Sequence, residues 1–571
     1  MNSKIVVNLG TQRFDKLIEE NKFYIDKTGF IKEWWENGSD VTLITRPRRF
    51  GKTLNMRMVE SFFSNKYANR SDLFKGLSIW EEKSSDGTYL YRELQGTFPV
   101  IFLSFAGIEA DNCKDMEYMI SEQIAKLYGE NRCLLAGDCL NKGEKEYFES
   151  IKTGMEKKVM VGAVNQLAGF LQRYYNQNVI IILDEYDAPM QVAWLSGYWD
   201  EAVSFFCSLF SSTFKNNSYL HRGLITGITR VAKESIFSSL NNPEVITTTS
   251  EEYAQYFGFL ESEVFSVLDA VGLSSEKQSV KMWYDGFTFG SYTDIYNPWS
   301  IASFIRKNGK YNAYWTNTSS NELVNALIQK GDSNIKQTME RLLQGNNFET
   351  ELDEQVVFNQ LENKPNAIWS LLLATGYLKV EKLTYAGKYR KNLYTLRLTN
   401  MEVESMFTSM VTEWFDTSDK SYNEFIKALL SDNVRRMNTF MNKVALNTFS
   451  AFDSGNRPSN QAEPERFYHG FVLGMIVSLA DTYQIRSNRE SGYGRYDVMI
   501  EPLDRKGKAF IFEFKVLDPD DNENTLEDTL ANALAQIEEK QYEAELISKG
   551  FAPAQIRKYG FAFQGKKCLI G

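Results

Sequence analysis

The stretch of sequence that decides the fold is TRPRRFGKT, residues 45–53. It follows the β-branched run VTLI, residues 41–44, which is typical of a short buried strand. Lys52 and Thr53 then open a segment whose apolar residues recur with helical spacing. A strand, a loop, Gly-Lys-Thr and a helix, in that order, predict a phosphate-binding loop (P-loop) for a nucleotide.

Each part of this loop has an expected task. Backbone N–H groups around Arg49, Phe50 and Gly51, together with the helix N-terminus, would hold the phosphates. Lys52 would reach the β- and γ-phosphates, and the hydroxyl of Thr53 would bind Mg²⁺.

One position departs from the pattern G-x-x-x-x-G-K-[ST], because Arg46 stands where the first glycine is usual. A side chain at that corner could alter the loop, which leaves the affinity for ATP open. An ordinary basic turn before a helix is the alternative interpretation, since short motifs produce false positives.

A second motif is VIIILDEYD, residues 179–187, an unbroken apolar run that ends in acids. Such runs are typical of the buried parallel strands of α/β folds. Asp184 would hold Mg²⁺ through water, and Glu185 would orient and deprotonate the attacking water. A simple loop start or helix cap is the alternative, but two motifs in the right order favour an NTPase.

A third segment, GLITGITR at residues 223–230, predicts another strand that ends in polar residues. Thr226 or Thr229 could sense the γ-phosphate, and Arg230 could stabilise the charge that develops during transfer. A strand end with a solvated arginine is the alternative.

The C-terminal part of the chain carries a different chemistry. Residues 508–517 alternate cleanly, so Glu513 and Lys515 project side by side from a predicted strand. Residues 495–501 predict a second strand joined to it by a hairpin turn. Antiparallel pairing would bring Asp497 beside Glu513 and Lys515.

Two carboxylates on neighbouring strands suit Mg²⁺ or Mn²⁺. Asp497 and Glu513 would hold the metal, Lys515 would orient the attacking water and stabilise the transition state, and Glu465 could supply a further ligand. Glu-x-Lys occurs elsewhere in this chain without a strand pattern, so spacing alone leaves an exposed, salt-bridged hairpin as the alternative.

These motifs together resemble the AAA-ATPase-like proteins that carry a C-terminal PD-(D/E)xK nuclease domain. The resemblance implies an ATP-binding domain joined to a restriction-endonuclease-like domain, and it marks Arg-Pro-Arg-Arg as a family variant of the P-loop. The motifs that carry it are GTQRF (10–14), FYIDKT (23–28), RPRRFGKT (46–53), LDEYD (183–187), TRVAKESIF (229–237), WYDGF (283–287), IYNPWS (295–300), ERFYHG (465–470), GRYD (494–497) and FEFK (512–515).

Length and composition limit the number of domains and the classes of protein to be considered. The 571 residues are enough for three or four domains, and a 43% apolar content argues against disorder. No apolar run is long enough to span a membrane, and the start of the chain lacks a signal peptide core. Five cysteines without metal-type spacing and only two histidines give little support to a zinc enzyme or a Ser-His-Asp hydrolase. A reduced, cytoplasmic protein is expected.

The net charge of −10 argues against a general DNA coat, but local cationic patches can still bind phosphates. Candidates are the arginines of the P-loop and the group of Arg486, Arg489 and Arg495. A predicted hairpin around residues 377–398 is also basic, with a solvated wing as the alternative interpretation.

We therefore predict an α/β multidomain chain. Its expected parts are a P-loop AAA-ATPase-like domain (1–245), a helical lid subdomain (246–345), a winged-helix module (346–420), a helical linker (421–460) and a PD-(D/E)xK nuclease-like domain (461–571).

The predicted function is ATP binding and hydrolysis coupled to Mg²⁺-dependent cleavage of nucleic acid, with DNA favoured and no membrane. A nucleotide-switch or signalling NTPase whose nuclease-like domain binds without cutting is one alternative. A nucleic-acid-binding regulator with little ATP turnover is another. Homo-oligomerisation stays open.

Overall fold

The computed structural model divides the chain into two compact units. The first comprises Met1–Leu327 and Asn347–Glu404, and the second comprises Ile328–Asn346 and Ser405–Gly571. The residues that the structure describes are 9–83, 86–215, 217–229, 243–316, 322–330, 333–343, 345–352, 366–416, 422–448, 472, 476, 479, 482–491, 494–519, 523–564 and 567–571.

The first unit is built on a sheet of five parallel strands. The unbroken apolar runs of the sequence form its centre, where both faces of each strand are covered and buried. The strands are β1 (Val41–Thr45), β2 (Val100–Ser104), β3 (Val179–Asp184), β4 (Leu220–Gly227) and β5 (Glu244–Ile246), in the spatial order β2-β3-β4-β1-β5. All neighbouring pairs are parallel, so their carboxyl ends meet at one edge.

Helices join these strands and cover the sheet. In chain order they are α1 (Phe14–Glu19), α2 (Gly29–Asn37), α3 (Lys52–Phe63), α4 (Ser78–Glu81), α5 (Leu90–Leu94), α6 (Cys113–Glu130), α7 (Cys133–Ala136), α8 (Lys142–Ser150), α9 (Lys157–Tyr175), α10 (Ala188–Leu195) and α11 (Trp199–Phe214).

The region after the parallel sheet contains helices and a small sheet. The aromatic motifs WYDGF (283–287) and IYNPWS (295–300) contribute residues to two of its three short strands. Each strand is too short for its alternation to be recognised in the sequence. The elements are β6 (Phe259–Leu260), α12 (Glu261–Ala270), α13 (Lys277–Tyr284), β7 (Phe287–Phe289), β8 (Tyr292–Tyr296), α14 (Pro298–Arg306), α15 (Glu322–Lys330) and α16 (Ser333–Leu343), and the sheet order is β6-β8-β7.

A helix and a three-stranded antiparallel sheet follow. The elements are β9 (Phe348–Thr350), α17 (Ala367–Ala374), β10 (Leu378–Ala386) and β11 (Lys391–Leu398), and the strand order is β10-β11-β9. The sequence predicts the hairpin of β10 and β11, and the structure adds β9 as the third strand.

The second unit has its own five-stranded mixed sheet. Its elements are most of α18 (Met401–Asp416), then α19 (Tyr422–Leu430), α20 (Val434–Thr448), β12 (Tyr483–Ser491), β13 (Gly494–Pro502), β14 (Ala509–Val516), α21 (Leu526–Glu539), α22 (Ala544–Ser548), β15 (Ile556–Gln564) and β16 (Lys567–Ile570), with the strands in numerical order. Among the described residues of this sheet, β14 and β15 are the one parallel pair, and α21 lies between them along the chain.

Alternation along β14 buries both of its faces. Phe510, Phe512 and Phe514 pack on one side in a core that includes residues of α19 and α20. Ile511 packs on the other side against Ile537 of α21. The helix α21 therefore covers the face of the sheet that the sequence assigns to Glu513 and Lys515.

Among the described residues, none of the helices combines the length and the apolar character needed to cross a bilayer.

Candidate functional site

The P-loop lies between β1 and α3, as the sequence predicts. Arg49 and Gly51 adopt left-handed backbone conformations, with φ of +66° and +79°. A Cβ atom added at Gly51 would meet no atom within 4 Å, so the backbone at the start of α3 faces open space. Because the N–H groups at this helix start face open space, they can bind a phosphate group, and the loop therefore fits a nucleotide.

Lys52 is buried and folded back onto its own loop. Its Nζ donates hydrogen bonds to the carbonyl oxygens of Arg46, at 2.9 Å, and Pro47, at 2.8 Å. Burial lowers the pKa of Lys52 to about 8, against the opposing effect of nearby acids, of which Glu185 is the strongest. A bound phosphate would give this buried ammonium group an anionic hydrogen-bond partner in place of two neutral carbonyl oxygens.

The side chains expected to hold magnesium form one hydrogen-bonded group. The hydroxyl of Thr53 donates to Asp184 Oδ2 at 2.8 Å, and that of Thr226 donates to Asp184 Oδ1 at 2.6 Å. Asp184 is fully buried at the end of β3, and Thr226 lies on β4, the strand between β3 and β1. A carboxylate and a hydroxyl offer the hard oxygen donors that Mg²⁺ prefers, so this set fits the metal.

Glu185 lies directly after β3 and lines the same cleft as Lys52. Its φ is +52°, a conformation that a non-glycine residue adopts only when its surroundings hold it there. Burial raises its pKa, and the neighbouring Asp184 raises it further. A carboxyl group with a raised pKa suits the predicted role of a general base.

Asp187 is a residue to which the sequence interpretation assigns no role. Its Oδ2 accepts hydrogen bonds from the backbone N–H groups of Ile228 (3.0 Å) and Thr229 (2.8 Å), and from the Thr229 hydroxyl (2.9 Å). This carboxylate therefore joins the loop after β3 to the end of β4. Its signal in the sequence is the third acid of the run LDEYD. Thr229 thus contacts Asp187, and Thr226 contacts Asp184.

Arg46, the residue that replaces the usual glycine, is completely buried. Its guanidinium donates to the carbonyl oxygens of Thr45 (3.0 Å) and Thr247 (2.5 Å). It also donates to the carbonyl of Glu252 at 3.2 Å and lies 4.5 Å from the ring centre of Phe289. Arg46 therefore anchors the start of the P-loop to the segment after β5 and to β7.

The rest of the loop contacts two aromatic motifs that the sequence singles out. The Phe50 ring packs edge-on against Phe287, with 4.7 Å between ring centres. The Arg49 guanidinium lies 4.5 Å from the Trp299 ring, and Asn297 donates to the Arg48 carbonyl at 3.3 Å. Residues 283–300, which the sequence analysis assigns to a helical lid subdomain, consequently support the P-loop through direct contacts.

A cleft of about 950 Å³ opens in front of the loop. It is bounded by the P-loop, by residues 106–111 after β2, and by the loop and helix after β3. Residues of the N-terminal segment, among them Leu9 and Phe23, also line it, together with Trp299. The volume of the cleft is therefore large enough to hold more than the phosphates alone.

The acids of the second unit meet on neighbouring strands. Val498 pairs with Phe512 across the antiparallel strands β13 and β14, and the next residues outward are Asp497 and Glu513. Asp497 Oδ2 accepts a hydrogen bond of 2.8 Å from the backbone N–H of Phe514. The side chain of Glu513 is buried, and Lys515 lies further along the same strand, half-buried and opposite Ala562. Two carboxylates at such a strand junction have the oxygen chemistry that Mg²⁺ or Mn²⁺ requires.

Helix α21 adds a polar residue to this site. Gln536 Nε2 donates to Glu513 Oε1 and lies 3.2 Å from the hydroxyl oxygen of Tyr542. The sequence shows Gln536 on a helix after the hairpin, but nothing in its spacing indicates which residue it contacts. Its amide orients the Glu513 carboxylate.

Some predicted residues are not part of this geometry. Arg230 and Glu465 lie outside the described residues, as do the side chains of Arg489 and Arg495. The Arg486 guanidinium is paired with Glu501 at 3.0 Å and with Glu545, so a phosphate would have to compete with these carboxylates for it.

The folds and sites define a P-loop NTPase core and a nuclease-like mixed sheet in one chain. A model of the family described as predicted AAA-ATPase matches residues 8–237, and a model of the PD-(D/E)XK nuclease superfamily matches residues 463–571. The chain therefore combines an AAA-ATPase-like domain with a C-terminal PD-(D/E)XK nuclease superfamily domain, which confirms the predicted α/β multidomain class.

Individual relatives are distant. An uncharacterized protein in the vnfD 5′ region of Azotobacter chroococcum mcd 1 is 22% identical over 565 residues, covering 95% of this chain and 94% of that protein. A Walker-type ATPase of Pyrococcus abyssi is 12% identical, with a TM-score of 0.35, and the match covers 67% of this chain and 95% of that one.

Proposed function

We propose that this protein binds and hydrolyses ATP in the P-loop cleft and cleaves nucleic acid at the site of Asp497, Glu513 and Lys515. The observation that carries the nuclease half is the hydrogen bond from the Phe514 N–H to Asp497. It fixes an acid of one strand against the Glu-Phe-Lys segment of the next. An exposed, salt-bridged hairpin would not bury Glu513 in this way.

The proposed nuclease chemistry divides tasks among these residues. Asp497 and Glu513 would hold a divalent cation, which when bound polarises the scissile phosphate and acidifies a water molecule. Lys515 would orient the attacking water and offset the negative charge that develops on the phosphate. Gln536 would keep the Glu513 carboxylate in one orientation, so that little reorganisation accompanies the reaction.

The proposed ATPase chemistry uses the other end of the chain. Thr53 and Asp184 would hold Mg²⁺, which would offset the negative charge of the phosphates. Lys52 would leave its two carbonyl partners and contact the β- and γ-phosphates. Glu185 would accept the proton of the attacking water, a role supported by its position in the cleft and its raised pKa.

Gating of cleavage by nucleotide is part of the proposal. The P-loop is packed against residues 283–300 through Phe50, Arg49 and Asn297, so a phosphate that moves the loop must also strain or shift these contacts. DNA is the proposed substrate, and Mg²⁺ the proposed metal at both sites. A cytoplasmic setting agrees with the five cysteines, none of which is joined in a disulfide.

A panel of single- and double-stranded DNA and RNA, incubated with Mg²⁺ or Mn²⁺ and with or without ATP, tests this function. Lys515→Ala should abolish cleavage, and Lys506→Ala, which removes an exposed lysine of the preceding turn, should not. Lys52→Ala should cleave but should no longer respond to ATP. Equal cleavage by Lys515→Ala and the wild type would overturn the nuclease site.

A nucleotide switch is the second candidate. It is favoured by the same contacts between the P-loop and residues 283–300, because a nucleotide-dependent change in the loop's conformation would alter the position of that segment. ATP-dependent oligomerisation, with no cleavage of any substrate, would establish the switch in place of the nuclease.

A further inference from the structure

The turn between β10 and β11 presents a basic and aromatic tip. This hairpin tip comprises residues 382–391, with the sequence KLTYAGKYRK. Four of its ten residues are cationic and none is acidic, although the whole chain carries a net charge of −10. The local charge therefore opposes the charge of the rest of the protein.

Two aromatic rings at the tip are open to solvent. Tyr389 is 84% exposed, Tyr385 is 60% exposed, and the adjacent Leu383 is 42% exposed. Single exposed apolar residues are ordinary, but several large ones within seven residues mark an interaction surface. These rings lie outside the core of the first unit and are accessible to a binding partner.

The cations of the tip are available to a ligand. Within the described part of the chain, no carboxylate forms an ion pair with Lys382 or Lys388, whereas Lys391 pairs with Glu351 at 3.2 Å. The Arg390 guanidinium lies 5.3 Å from the centre of the Tyr385 ring. A cation and an aromatic face are thus already held side by side.

The backbone holds the tip in one shape. Ala386 pairs with Lys391 and closes a four-residue turn, residues 387–390. The N–H of Arg390 donates to the Gly387 carbonyl at 3.2 Å, and both residues have positive φ, of +49° for Arg390 and +68° for Gly387. Tyr389 is therefore presented at the apex of a closed turn, and little further order is needed for binding.

We propose that the hairpin tip binds single-stranded nucleic acid. An unpaired base would stack on Tyr389, and Lys382, Lys388 and Arg390 would neutralise phosphates along the strand. Exposed aromatic rings flanked by cations are the features with which proteins hold single strands. A duplex exposes only base edges in its grooves, so it has no unpaired base that could stack on an open aromatic face. The choice of ligand rests on the proposed nuclease function.

Binding of a fluorescently labelled oligonucleotide of about 20 nucleotides by the full-length protein tests the inference. Anisotropy is measured in EDTA, which prevents cleavage, at several salt concentrations. We expect Tyr389→Ser to weaken single-strand binding roughly tenfold with an unchanged salt dependence, because one stacked base is lost. The double variant Lys388→Gln/Arg390→Gln should lower the slope of log K against log salt by about 1.4, since two phosphate contacts are lost.

Matched controls come from α6, on which Tyr118 is 56% exposed and Lys114 and Lys126 are exposed. Tyr118→Ser and Lys114→Gln/Lys126→Gln make the same chemical changes away from the tip and should bind like the wild type. The inference would be overturned if the tip variants lost no more affinity for the oligonucleotide than the control variants. It would also be overturned if the protein preferred duplex and Tyr389→Ser kept that preference.

Failure of this inference is distinct from failure of the proposed function. Tip variants that bind normally in a protein that cleaves would refute the binding surface alone. A wild type that binds through the tip and cleaves no substrate would refute the nuclease alone. Thermal melting of each tip variant shows whether it is folded, and Tyr389→Phe, which keeps the ring, should retain binding.

Discussion

Asp497 accepts a 2.8 Å hydrogen bond from the backbone N–H of Phe514, the residue between Glu513 and Lys515. The side chain of one strand is thereby fixed to the backbone of the next at the point where the proposed catalytic groups lie. A site built on paired strands holds its geometry better than one built on loops.

The two functions of Asp497 are separable by substitution. Asp497→Asn keeps an oxygen that can accept from the Phe514 N–H but loses the charge needed for a metal. Cleavage should be lost with little change in melting temperature. Asp497→Ala should also lose about 1–2 kcal/mol of unfolding free energy, since the N–H partner is removed. Denaturant unfolding and a cleavage assay on both variants check this, and full cleavage by Asp497→Asn would contradict it.

Gln536 is expected to act by orienting Glu513. Gln536→Glu places a second carboxyl group against Glu513, and repulsion between the two opposes ionisation of both. Because the proposed metal would need an ionised Glu513, the acid limb of the cleavage profile should move to higher pH. Rates measured across the pH range test this, with Gln536→Ala as the comparison: it loses the hydrogen bond donated to Glu513 but adds no charge, so its limb should move less than that of Gln536→Glu. An unshifted limb in Gln536→Glu would refute the positioning role.

Replacing Arg46 by glycine, the residue usual at this position of a P-loop, should destabilise the loop. Arg46→Gly removes hydrogen bonds to three carbonyl oxygens and the contact with Phe289, leaving a cavity and unpaired acceptors. We expect a loss of roughly 2–4 kcal/mol of unfolding free energy and weaker ATP binding. Arg46→Lys should be nearly as harmful, because an ammonium group cannot match the planar guanidinium. Tighter ATP binding in Arg46→Gly would contradict the anchoring role.

ATP affinity should fall as pH rises above about 8. Burial lowers the pKa of Lys52 to about 8 in the nucleotide-free protein, so more of the protein has a neutral Lys52 at pH 9 than at pH 7. Phosphates favour the charged form, and binding at pH 9 must then take up a proton. Titration calorimetry in buffers of different ionisation enthalpy measures this uptake. Lys52→Met should bind weakly and show no such dependence.

Glu402 predicts a pH dependence of stability. It is fully buried, accepts hydrogen bonds from the Ser300 hydroxyl (2.7 Å) and the Trp315 N–H (2.6 Å), and has a pKa raised by burial to about 7. The folded state therefore favours the protonated acid. The stabilisation that protonation adds is complete below pH 4.5 and is lost as pH rises through about 7.

Glu402→Gln removes this titration. The melting temperature of the variant should change less than that of the wild type between pH 5 and pH 8, as measured by calorimetry at both values. Parallel curves for the two proteins would refute the assignment.

The local elements of both sites are largely readable from the sequence. The strands that flank the P-loop and the acidic motif are recognisable because long apolar runs end in loop residues. The alternation around Glu513 likewise predicts β14 and the face that carries Glu513 and Lys515. The short strands β7 and β8 were not predicted, because strands of three and five residues carry too little periodicity to distinguish a strand from a loop.

The sequence by itself determined the strand-loop-helix order around Lys52, the acids at the end of β3 and the alternation around Glu513, because these depend on neighbours a few residues away. Only the tertiary structure decided that Arg46 is a buried anchor, that β4 lies between the two nucleotide motifs, and that Gln536 contacts Glu513. Those relationships join residues far apart in the chain. They depend on how strands pair and helices pack, which no local spacing records.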